Sequence, residues 1–95
     1  LTDRITRSHL EAIVARINRV TGSPAEPYST GADGRAVANV GNYHLSGAYG
    51  GWCLHRMVNK GAGVSSPLTT GHVPARELAA LMHAYLAGFD AATNR

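Results

Sequence analysis

The sequence predicts an α+β domain: an N-terminal helix, an antiparallel three- or four-stranded meander and a C-terminal helix, both helices packed on one sheet face. Three observations carry this. Apolar residues recur at helical spacing near both ends of the 95-residue chain. Between them the pattern changes to short runs rich in β-branched and aromatic residues. Those runs are punctuated by Gly, eight of the eleven glycines lying between Gly34 and Gly71.

The first helix is expected over 8–21. Leu10, Ile13, Val14, Ile17 and Val20 form one apolar stripe, and Arg16 and Arg19 fall on the opposite, solvated face. Ser8 with Glu11 fits a capping box, with Thr6 as a rival N-cap. Gly22 and Pro24 end the helix.

The meander is expected over 28–68. Asp33-Gly34 reads as a type I′ turn joining Tyr28–Thr30 to Arg35–Val40. Gly41-Asn42 marks a break before Tyr43–Ser46. The run from Gly47 to Gly51 turns into Trp52–Asn59, the strongest strand pattern in the chain. Lys60 to Gly63 turns again, and Val64–Leu68 reads as an edge strand, because Pro67 cannot donate to a central ladder.

The second helix is expected over 74–91. Pro74 suits its first position and Glu77 its first turn. Leu78, Leu81, Met82, Tyr85, Leu86 and Phe89 make its apolar stripe, with Ala79, Ala80, Ala84 and Ala87 behind. Residues 1–95 have room for one core, hence a single domain. The two amphipathic helices offer an interface for a homo-oligomer.

The formal charge of +3 is unevenly spread. Asp3, Glu11, Glu26 and Asp33 precede the central segment, and Glu77 and Asp90 follow it. Between them lie Arg35, Arg56, Lys60 and Arg76 with His44, His55 and His72, and no acid. Such a stretch favours an anionic partner, although few charges in a charge-poor chain also fall unevenly by chance. Cys53 is the only cysteine, which excludes an intrachain disulfide and points to a reducing compartment. The stretch from Leu1 to Arg7 lacks the apolar run of a signal peptide, and no run approaches a membrane span. A cytoplasmic chain with no membrane partner is the expectation.

The run from Asn42 to Gly51, with Leu54–Asn59 and Gly61–Gly63 after it, resembles small uncharacterised proteins of tailed phages and prophages. Ile17-Asn-Arg, Thr21-Gly-Ser-Pro and Arg76-Glu-Leu extend that resemblance over 5–89. It implies a phage-encoded accessory protein acting in the cytoplasm of a bacterial host, and it supplies no catalytic residue.

The candidate ligand-binding residues are Tyr43, His44, Tyr49, Trp52, His55, Arg56, Asn59 and Lys60. Backbone N–H groups in Gly-rich turns can cradle phosphate, and aromatic rings with Arg can stack on bases. The competing reading puts Gly in tight turns and the aromatic residues in the core. Strand alternation sends Trp52, Leu54, Arg56 and Val58 to one side and Cys53, His55 and Met57 to the other. Arg56 therefore needs Glu11, Glu26 or Glu77 as a partner, or a phosphate.

Two chemistries rank lower. Cys53 with His44 as base is a nucleophilic pair without a protease signature. Cys53, His55 and His44 as zinc ligands lack the paired spacing of a metal site. No catalytic residue, metal or cofactor is assigned. A helix in the major groove, with Arg7, Arg16 and Arg19 on phosphate, lacks helix-turn-helix spacing. The expected function is non-enzymatic binding of a phosphate-bearing ligand, nucleic acid or a nucleotide-type molecule; in a phage setting this extends to sequestering a host defence signal. The alternative is an effector that inhibits a host enzyme through the sheet or through Tyr85 and Phe89. A Cys-dependent enzyme comes third.

Overall fold

Helix α1 spans Arg7–Thr21, starting one residue earlier than expected. The cap is Thr6, not Ser8: Thr6 is extended (φ −95°, ψ 166°) and its hydroxyl accepts the His9 N–H at 3.2 Å. Ser8 is itself helical, so its backbone cannot adopt the N-cap conformation. Gly22 closes the other end in the left-handed region (φ 72°), and Ser23 N–H bonds Asn18 O at 2.8 Å. This is a computed structural model describing residues 5–93; Asp3 and the first residues of the stretch from Leu1 lie outside the described residues.

Strands β1 (Tyr28–Thr30) and β2 (Ala36–Ala38) pair antiparallel, as the hairpin signal requires. The turn is not type I′, however. Only Gly34 takes a positive φ (81°), and the five-residue connection closes through Gly31 N–H to Arg35 O at 2.7 Å. Asp33 instead accepts the Arg35 N–H on its carboxylate at 3.0 Å, so it does not take the positive φ that a type I′ turn demands of both residues.

The two-residue turn with both φ positive lies further on, at Tyr49 (56°) and Gly50 (73°). It joins β3 (Tyr43–Ala48) to β4 (Gly51–Met57) in full register, from Ala48 opposite Gly51 to Tyr43 opposite Arg56. Gly47 and Ala48 therefore extend the strand instead of turning. Gly47 must lack a side chain, because a Cβ there would stand 2.8 Å from Cζ3 of Trp52.

Strand β5 is only Val64–Ser65, cut short before Pro67. It borders β4, as does Val73 through paired bonds with Trp52. The meander thus resolves into two sheets, β1-β2 and β3-β4-β5, parted at Gly41-Asn42. Gly41 N–H bonds Met57 O, whereas Asn42 N–H turns back to Asn39 O. That switch of partner ends one sheet and begins the next.

Helix α2 spans Ala75–Thr93 just after Pro74, whose carbonyl accepts the Leu78 N–H at 3.1 Å. Leu10, Ile13, Val14 and Ile17 of α1 meet Leu78, Ala79, Met82 and Leu86 of α2 over Tyr43 and Leu54 of the sheet. The α+β fold is therefore as expected, with both helices on one face. The predicted stripe of α2 holds in part: Leu78, Met82 and Leu86 are buried, and Leu81, Tyr85 and Phe89 are only half-buried. Ala79, placed behind the stripe, is buried, where its small side chain lets the core close.

Candidate functional site

Alternation along β3 and β4 sorts the candidate residues into three places. Tyr43, Leu45, Trp52, Leu54 and Arg56 face the helices; His44, Ser46, Cys53, His55 and Met57 face away. Asn59 and Lys60 sit beyond β4 in the next turn. The eight residues do not form one constellation, because adjacent strand residues point to opposite sides.

On the helix side, Arg56 is half-buried and its guanidinium lies 5.7 Å from the ring centre of Tyr43. The ion pairs among the described residues are Arg7–Glu11 and Arg35–Asp33, so neither Glu11, Glu26 nor Glu77 neutralises Arg56. Beside it, the Tyr43 and Tyr85 hydroxyls meet at 2.6 Å. That bond, then burial and the repulsion from Tyr43, push the Tyr85 phenol up to about 12, against the pull of Arg56. Tyr85 stays protonated at any physiological pH. Trp52, by contrast, packs against the core over Gly47, with the Arg7 guanidinium 5.8 Å from its ring centre.

On the far side, imidazoles form a row. His44 and His55, opposite one another, meet edge-on at 5.6 Å, and His55 lies 6.4 Å from His72. Tyr49, 98% exposed at the turn tip, continues the row 5.9 Å from His72. Ser46 Oγ and His72 Nε2 are 3.1 Å apart, and His44 Nδ1 lies 3.1 Å from Asn42 Oδ1. Burial first, and then the neighbouring imidazole, lower the pKa of both His44 and His55. Among the described residues, no group of three or more His, Cys, Asp or Glu could hold a metal ion. Ser46 gave no usable signal in the sequence and His72 only its place in the acid-free stretch, since the two meet through a contact 26 residues apart.

This face is not fully open. Cys53 and Met57 are each 1% exposed, and over Cys53 the segment after β5 folds back onto the strand through Ser66 and Thr69. The Cys53 thiol meets the hydroxyls of Ser66 (3.4 Å) and Thr69 (3.5 Å) and the carbonyl of Leu54, so its polar contacts among the described residues include no imidazole. His44, the proposed base, bonds Asn42 instead. Asn59 is also engaged internally: its amide oxygen takes the N–H groups of Gly61 and Gly63 at 2.9 and 3.0 Å. The donors expected to cradle an anion thus already have an acceptor, and Lys60 is exposed beside them.

One arrangement was illegible in the sequence. Asn18, buried in α1, donates to Tyr43 O at 2.9 Å and accepts Tyr43 N–H at 2.8 Å. Its carboxamide pairs with the outer edge of β3 as a neighbouring strand would. Past Asn18, a groove of about 400 Å³ follows that edge between α1 and the connector around Glu26. No described helix is long and apolar enough to cross a membrane. Compared with protein-family models, with curated proteins and with solved structures, the chain matches none of them.

Proposed function

We propose that this chain is a non-enzymatic binding protein for a phosphate-bearing, nucleotide-type ligand, with Arg56 as the anion contact. One observation supports the reading above others: a half-buried arginine, its guanidinium set on the Tyr43 ring, with no carboxylate partner among the described residues. A cation withdrawn from water is costly unless something compensates it, and a phosphate oxygen does so through paired N–H bonds. The Tyr43–Tyr85 pair fits the same task. Two hydroxyls joined by one hydrogen bond leave one proton over, available to a second phosphate oxygen. Lys60 adds long-range attraction from the adjacent turn. On the resemblance to phage-encoded proteins, the ligand class extends to a host signalling nucleotide held out of circulation.

Thermal melting in the presence of a panel of linear and cyclic nucleotides tests this. A ligand at 100 times its Kd stabilises the fold by about 2.7 kcal/mol, a readily measured rise in Tm. Arg56→Ala should abolish the rise and Arg56→Lys should weaken it, because an ammonium cannot offer the same fork. Equal stabilisation of the wild-type and Arg56→Ala proteins would sink the proposal. A single-stranded oligonucleotide in place of the nucleotide should be recognisable by its steep salt dependence.

A further inference from the structure

The outer edge of β3 carries backbone groups that no neighbouring strand pairs among the described residues. Tyr43 directs its N–H and C=O away from β4, since both are taken by Asn18. The alternation of an antiparallel ladder then directs the backbone groups of Leu45 and Gly47 the same way. Among the described residues no hydrogen bond reaches those four groups. The opposite edge of the sheet is blunted: β5 has two residues and is followed by Pro67. Strand β3 has no such protection between His44 and Ala48, no charge and no proline.

The surroundings indicate what kind of strand belongs there. Glu11 and Glu26, two of the six acidic residues of a chain with net charge +3, line the groove along this edge with His44 and Leu45. Among the described residues Glu11 is held by Arg7, at 3.4 Å, with both side chains largely exposed. Such a pair contributes little and exchanges readily for another cation. A second copy of the chain fits poorly. Pairing β3 with β3 around Ser46 would set two copies of the groove lined by Glu11 and Glu26 against one edge, like charge near like charge.

We infer that β3 and its groove bind an extended, basic polypeptide segment by strand addition, separate from the anion site at Arg56. Leu45 and Gly47 supply the backbone bonds, Asn18 sets where the added strand must stop, and Glu11 and Glu26 receive its Lys or Arg side chains. Three to five residues of partner suffice, as the free edge is that short.

The test uses end-blocked heptapeptides of alternating valine and lysine, of alternating valine and glutamate, and the lysine peptide N-methylated at alternate amides. Binding of the lysine peptide should shift the amide resonances of Leu45 and Gly47 and slow their exchange with solvent. The glutamate peptide should bind at least about tenfold more weakly, and Glu26→Gln should weaken the lysine peptide. N-methylation on the bonding edge should remove binding. The proposal fails if the shifts fall elsewhere, if N-methylation is harmless in both registers, or if the glutamate peptide binds equally. It also fails if Leu45 and Gly47 become protected without peptide as the protein concentration rises, which would identify self-pairing.

Discussion

Four asparagine carboxamides hold this backbone in place, three of them across distant segments and one within a turn. Asn18 clips α1 to β3, Asn39 reaches Glu26 O, Asn42 reaches Pro24 O, and Asn59 closes the β4–β5 turn. Asn18 carries the largest consequence, because it is 4% exposed and serves two buried backbone groups. Asn18→Ala would leave the Tyr43 N–H and C=O without partners. The expected loss is on the order of 3 kcal/mol, measurable by chemical denaturation. None of this was legible beforehand, since an isolated Asn in a helix has no periodic signature. Arg56 was legible as a cation short of a partner, because strand alternation alone fixes its side of the sheet. What alternation could not give was the Tyr43–Tyr85 hydroxyl pair beside it, which bridges 42 positions.

At the scale of elements, turn chemistry was the weakest part of the reading. Asp33-Gly34 has the composition of a tight hairpin turn, yet the Asp33 carboxylate bonds the following backbone and a longer loop results. Tyr49-Gly50 lacks that composition and forms the tight turn, because the β3–β4 ladder brings Ala48 opposite Gly51. Tertiary pairing overrides local preference here. The same ladder sets His44 against His55, and a pH dependence follows. Both pKa values lie below the ordinary 6.5, so near and below that pH the unfolded chain binds protons the folded one refuses. Stability should therefore fall as pH drops through 6.5 and level off once the folded-state histidines are themselves protonated. Melting curves across this range, repeated for His44→Gln with His55→Gln, check it: the double variant should show a flatter profile.

For the whole molecule, the helical periodicities at both ends and the β-rich centre located the core correctly. Leu10, Ile13, Val14, Ile17, Leu78, Met82 and Leu86 are all buried, as their spacing requires. The division into two sheets was only half visible, as a break at Gly41-Asn42. That break required knowing which carbonyl each N–H would choose, and the choice depends on Met57, which is remote in sequence. The chain's excess of positive charge was equally legible, but its distribution in space was not, since Glu11 and Glu26 meet in one groove from separate segments.

The separateness of the β1–β2 pair has a kinetic corollary. Its three-residue strands are largely exposed and lie outside the main core cluster, whereas β3 and β4 are locked beneath both helices. Two-stranded ribbons of this kind have little of their own to hold them closed. In heavy water, the amides of β1 and β2 should exchange by local opening, at rates nearly indifferent to mild denaturant. Those bonded between β3 and β4 should exchange only when the whole molecule opens, with rates that climb as denaturant is added. The chain would then run on two clocks, a fast one for the hairpin and a slow one for the sheet that carries both proposed sites.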